Sequence, residues 1–392
     1  MHIRSRALAG SGVACLAALA VAGCSPTGSG SSSSSSSVTI SGPTLAIYLS
    51  EPSDLSSNTA AQDIAYAEQM AYSAHKAEVK SYKLTLIRVH ARTQSDNARN
   101  AIIDPRTVAY LGEIEPGFSD ATVGITNAQD VLQVSPTDNA LELSDNTPAV
   151  SGGPKSYFES WSNYGRTFAR LVPSGSAEAK AQVAEMKSLG VSRLYVGDDG
   201  SDYGRALADA VRSDARAAGL TIESSIGEEV NGYFYGARSP TAAAHFFNHI
   251  AATSPAAKLF GPSSLNSGAF TSALSGSVHN LYVSIPGFLP KDLPAQGKAW
   301  VAQFKAARGH DPNVEAIFGF EAMSAVLRVL ASEGRKANNR TRVVSGFMHQ
   351  RNVQSVLGTY SIDGAGNTSL NAFVFARMRG GRLVPFAAAP QS

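Results

Sequence analysis

Continuously apolar runs of strand length alternate along this chain with stretches of helical spacing, and that alternation limits the fold more than any other feature. "TLAIYLS" (Thr44 to Ser50) reads as a strand buried on both faces. Ser57 to Glu78 places Ile64, Ala67, Met70 and Ala71 on one side of a helix. "YKLTLIRVH", "TVAYLGEI" and "VLQVSP" are further strands. Helix and strand then alternate as Ala177–Leu189, "SRLYVGDD", Tyr203–Ala218 closed by Gly219, "LTIESSIG", Thr241–Ala252, "AKLFGP" and "HNLYVSIP". Gln296–Arg308 and Glu315–Glu333 read as helices, and "LNAFVFARMRGGRLVP" as a hairpin turning at Gly380-Gly381. Such a pattern predicts an α/β fold with parallel, doubly wound sheets. The length favours two lobes. A (β/α)₈ barrel alternates too, but an antiparallel tail and the irregular stretch Ser144–Gly165 argue against it. Ligands of open α/β sheets sit beyond the carboxyl ends of the strands. The stretches to inspect are therefore Ser50–Pro52, Glu113–Ser119, Ser135–Asn139, Asp198–Tyr203, Gly232–Ser239 and Gly261–Asn266.

The 392 residues suffice for two ordinary cores. Charge is nearly balanced, 33 Lys+Arg against 31 Asp+Glu, which does not favour nucleic acid as a partner. Both cysteines, Cys15 and Cys24, precede the body, so neither a disulfide nor a Cys-based metal site is expected within it.

The N-terminus carries its own signals. Arg4 and Arg6 precede the apolar run Val13–Val21, which is too short to span a membrane, and Val21-Ala22-Gly23 leads to Cys24. This resembles a bacterial lipoprotein signal with its lipobox, with Val21 where Leu is more usual. The resemblance implies cleavage after residue 23 and a lipid anchor on Cys24. An ordinary signal peptide with an incidental cysteine is the alternative. Residues 24–42, with the serine tract Ser31–Ser37, are expected to form a flexible tether. The protein would then sit outside the cytoplasmic membrane, anchored as a lipoprotein.

Motifs for chemistry are weak. His245 and His249 in "HFFNH" have ligand spacing but lack the zincin glutamate, and a packed amphipathic helix explains them better. "DDGSD" (Asp198–Asp202) lacks the rest of a calcium loop. No Gly-x-Ser-x-Gly or Walker sequence is present. Glu228-Glu229 and the tryptophans Trp161 and Trp300 suit a solvated face and packing. No enzyme activity, cofactor or metal is expected.

"YLGEIEPGFSDATVGITNAQDVLQVSPTDNALELS" resembles the first lobe of type I periplasmic binding proteins, narrowly those for leucine, isoleucine and valine that serve ABC transporters. "ARLVPSGSAEAKAQVAEMKSLGVSRLYVGDDGSDYGRALADAVRSDARAAG" is similar to the second lobe, and later landmarks follow in order to Pro385. The resemblance implies a clamshell of two lobes, residues 43–172 with 287–357 and 173–286 with 358–388, joined by three crossovers near Val172–Ser174, Ile285–Gly287 and Leu357–Ile362. It also implies capture of a small amino-acid-like or carboxylate-bearing solute for delivery to ABC transporter permease subunits. Carried over one by one, the expected ligand contacts are Glu115 and Pro116 in place of a serine-bearing loop, Thr137 and Asn139, Tyr203, Arg238, and Ser263. Ser263 stands where the family has an acid for the α-ammonium. Arg238 is either a contact for an anionic group or an ordinary surface arginine. These departures keep open a tethered sensor or scaffold with a degenerate cleft and, further off, an extracytoplasmic hydrolase.

Overall fold

The computed structural model describes residues 37–390, so the expected leader, Cys24 and the serine tract up to Ser36 lie outside the described residues. Two sheets organise the rest. The first has strand order β2-β1-β3-β4-β5, every pairing parallel, from β1 (Thr44–Ser50), β2 (Lys83–Val89), β3 (Thr107–Leu111), β4 (Leu132–Ser135) and β5 (Phe168–Arg170). The second has the same winding, β7-β6-β8-β9-β10, from β6 (Arg193–Asp198), β7 (Thr221–Glu223), β8 (Gly232–Gly236), β9 (Lys258–Gly261) and β10 (Leu281–Pro286). A hairpin of β13 (Phe373–Arg379) and β14 (Arg382–Ala388) extends it antiparallel beyond β10. A small hairpin of β11 (Val353–Ser355) and β12 (Gly358–Tyr360) precedes them.

The long helices form because each has an apolar stripe to bury. Around the first sheet lie α1 (Thr59–His75), α2 (Gln94–Ile103), α3 (Val123–Asn127) and the short α4 (Trp161–Tyr164). Around the second lie α5 (Gly175–Ser188), α6 (Asp202–Ala217), α7 (Pro240–Thr253) and α8 (Gly268–Ala273). Then α9 (Ala295–Arg308), α10 (Ala316–Glu333) and α11 (Arg340–Met348) return to the first. The largest core joins Leu45, Ile47 and Leu49 of β1 to Ile64 and Ala67 of α1 and to Phe318, Met323 and Leu327 of α10. The second lobe packs Val183 and Met186 of α5 with Leu207 and Val211 of α6 on one face, and Phe247 and Ile250 of α7 on the other.

The chain passes between the sheets three times: after β5 into α5, after β10 into α9, and after Tyr360 into β13. In the third passage Gly366 lends its carbonyl to the Arg170 N–H, so the segment rests against the edge of the first sheet before leaving it.

Three elements differ from the sequence reading. β8 is flanked by glycines and read only as a strand end. α2 and α11 are short and largely polar, and they start on side-chain caps: Thr93 accepts from the Asp96 N–H and Asn339 from the Arg342 N–H. The residues assigned to the end of the tether are not free. Ile40 is buried, Thr39 bridges Asn339, and the backbones of Val38 and Ile40 bond Arg340 and Asn338. The docked chain thus begins ahead of Pro43, because Ile40 has apolar surface to bury.

Candidate functional site

Both sheets reverse their strand order at the second strand from one edge, between β1 and β3 and between β6 and β8. The carboxyl ends at these two switch points, where a ligand crevice is expected, carry the loops that meet. From the first lobe come the loop at residues 113–119 and the start of α1. From the second come Arg238, Pro240 and the Ser263–Ala269 segment. They enclose a cavity of about 490 Å³, with Ile114, Glu115, Pro116, Phe118 and Glu315 on its first-lobe side.

The 113–119 loop is wired from beneath. Asp138 accepts the N–H groups of Gly117 at 2.7 Å and Ser119 at 2.8 Å, and also that of Ala140 at 3.0 Å. Ser135 donates to the Glu113 carbonyl and Thr137 to that of Ile114. Gly117 has φ +81°, and a Cβ there would sit 2.9 Å from the Tyr203 Cβ, so only glycine lets the two lobes approach. The Glu113 side chain points inward, taking hydrogen bonds from Ser50 and Tyr110 at 2.6 Å each, and burial pushes it up to about 8.

Of the residues expected at the ligand, Glu115, Pro116, Arg238 and Ser263 line the cavity. Thr137, Asn139 and Tyr203 are buried beneath it and do not. Asn139 donates to Glu178 at 2.6 Å, and the Tyr203 hydroxyl lies 3.5 Å from the Ser263 hydroxyl. Glu178, on α5, is a hub that sequence reasoning missed. Its carboxylate accepts from Asn139, from the Ser263 N–H at 2.7 Å and from Ser284. Burial still raises it above the ordinary range. The signal was slight: one glutamate in an alanine-rich helix start.

The Arg238 charge is already paired within the protein. Its guanidinium reaches across the cleft to Asp120 at 2.9 Å and the Gly117 carbonyl at 3.0 Å, and lies over the Phe118 ring. A second crossing bond joins Asn266 to Glu315 at 2.7 Å, and a third Tyr157 to Asp202 at 2.6 Å. The lobes are therefore in contact around the cavity.

Two acids on the cavity wall are perturbed. Glu115 is pushed up to about 7 by burial and by nearby Asp54, with the Gln94 amide opposing. Glu315, at the start of α10, is pushed up to about 8, chiefly by burial. Glu315 and Asp54 were not singled out from sequence. A lone charge opening the apolar run "AIFGFEAM" was the available cue for the first. Among the described residues no group of His, Cys, Asp and Glu is arranged to hold a metal ion.

Neither the family models nor the curated proteins compared yield a match. Solved structures do. A leucine binding protein from Thermotoga maritima is similar with TM-score 0.70 and 16% identity, over 88% of this chain and 98% of that one. An ABC transporter substrate-binding protein from Desulfitobacterium hafniense, in complex with Leu, gives 0.69 and 18%, over 88% and 100%. A solute binding protein of an ABC transporter from R. palustris, in complex with benzoate, gives 0.63 and 14%, over 89% and 96%. With two parallel sheets of matching order, three crossings and this likeness, the chain has the two-lobed α/β fold of the type I periplasmic binding proteins, the fold of leucine and branched-chain amino acid substrate-binding proteins.

Proposed function

We propose that this chain is an extracytoplasmic solute-binding protein that closes on a small amino-acid-like molecule and delivers it to the permease subunits of an ABC importer. The observation that carries this reading is the cavity of about 490 Å³ between the switch points of two lobes. That is the size of a small-molecule site, walled by both halves of a hinged body. Similar structures hold leucine and benzoate. Binding would exclude water on both sides of the solute, and closure would report occupancy to the transporter. The reading includes a lipid anchor at Cys24, which would keep the protein at the membrane; no described helix is long and apolar enough to cross it. Glu115, Pro116, Arg238 and Ser263 would touch the solute, with Thr137, Asn139 and Tyr203 as their support. Equilibrium binding of amino acids and small carboxylates, with the same solutions assayed for product, tests it. A saturable solute recovered unchanged is expected; turnover would replace transport with enzymology.

A further inference from the structure

We propose that the cleft recognises its solute through a cationic group, an ammonium or guanidinium met by Glu115 and Glu315, and does not require a carboxylate on the solute. The proposal rests on the cleft being the ligand site.

The charges on the cavity wall are unequal. Asp54 stands exposed near the mouth, and Glu115 and Glu315 line the interior. Arg238 is the one cationic side chain on that wall among the described residues, and its charge is met by Asp120 at 2.9 Å. A solute carboxylate would find no unpaired cation there and would face acids instead, a costly burial. The helix starts on the wall offer dipoles and no full positive charge, and their caps already take up part of their N–H groups. Asn58 accepts the Ala61 and Gln62 N–H groups at the head of α1, and Ser267 accepts that of Phe270 at the head of α8.

Glu315 is the sharper of the two acids. It is only 5% exposed. One carboxylate oxygen accepts from Asn266 at 2.7 Å, and the other has no hydrogen-bond partner among the described residues. A nearly buried carboxylate with a free oxygen on a cavity wall lacks a counter-charge, and a cationic solute supplies one. The raised titration of Glu115 and Glu315 has the same cause, burial without a cation. Around them, Glu178 beside Glu315 and Asp54 beside Glu115 add negative charge. Asp120 and Asp138 lie on the neighbouring loops, with Arg238 the opposing cation.

The test is calorimetric titration of the full-length protein with agmatine, cadaverine, leucine, glutarate and benzoate. It is repeated with Glu315→Gln and, in case that buried change impairs folding, with Glu115→Gln on the loop. Agmatine or cadaverine should bind, glutarate and benzoate should not, and each variant should weaken the amine tenfold or more. Both probes stay protonated between pH 6 and 8.5 while the two carboxyls gain charge, so affinity should rise across that range. Binding of glutarate or benzoate in place of the amines overturns the inference and leaves solute capture standing. So does amine or leucine binding that neither variant alters. Silence from all five probes with a folded protein overturns the inference and the capture reading together.

Discussion

Glu68 shows how far a single residue can run against the usual rules of burial. It lies on α1 against α10, fully buried, and neither carboxylate oxygen has a hydrogen-bond partner. Burial, with Glu51 and Glu113 nearby, holds it well above the ordinary carboxylate range. An acid raised in the folded state binds more protons there than in the unfolded chain. Its contribution to stability is therefore fullest below the unfolded value and declines as pH rises toward the folded one. Glu68→Met should stabilise the protein by about 1 kcal/mol or more at pH 8. The gain in thermal midpoint should be smaller at pH 5; calorimetric melts at both values check this. A midpoint that falls at pH 8 would mean the carboxylate is satisfied by something the fold alone does not supply.

The element that makes the site is the 113–119 loop, and Asp138 is what shapes it. With three backbone N–H groups converging on one carboxylate, Asp138→Ala should cost about 3 kcal/mol. It should also speed amide exchange at Gly117 and Ser119 well before global unfolding, as hydrogen-exchange measurement would show. Unchanged exchange would place the loop's order elsewhere. At this scale much was legible beforehand. Continuous apolar runs marked β1 and β3, helical spacing marked α1 and α10, and the Gly380-Gly381 turn marked the last hairpin. α2 and α11 were not, since their helicity depends on caps and tertiary packing more than on an apolar stripe. The loop positions were legible as strand ends. Which side chains turn toward the cavity was not: it follows from hydrogen bonds between residues far apart in sequence, such as Asn139 with Glu178.

For the whole molecule, the question is what holds the halves together. Arg238 with Asp120 and Gly117, and Asn266 with Glu315, span the cleft directly from one lobe to the other. A half-exposed ion pair contributes about 1 kcal/mol at most, enough to shift an open–closed equilibrium roughly fivefold. Arg238→Ala should therefore raise the radius of gyration of the solute-free protein in small-angle scattering while leaving its thermal midpoint within about 2 °C. An unchanged radius would show that the latch does not set the resting state. The two-lobed plan was visible from the order of motifs along the chain. The charge balance of the cleft was not, because pairing Arg238 with Asp120 joins residues 118 positions apart.

The seam between Val38–Ile40 and Asn338–Arg340 gives the body a fixed mounting point on its first lobe. Chain entering the described body from the N-terminal side therefore meets the first lobe before any other part of it. Among the described residues the second lobe makes no contact in that seam, so shortening the chain to start at residue 41 should lower the thermal midpoint through the first lobe's core, where Ile40 is buried.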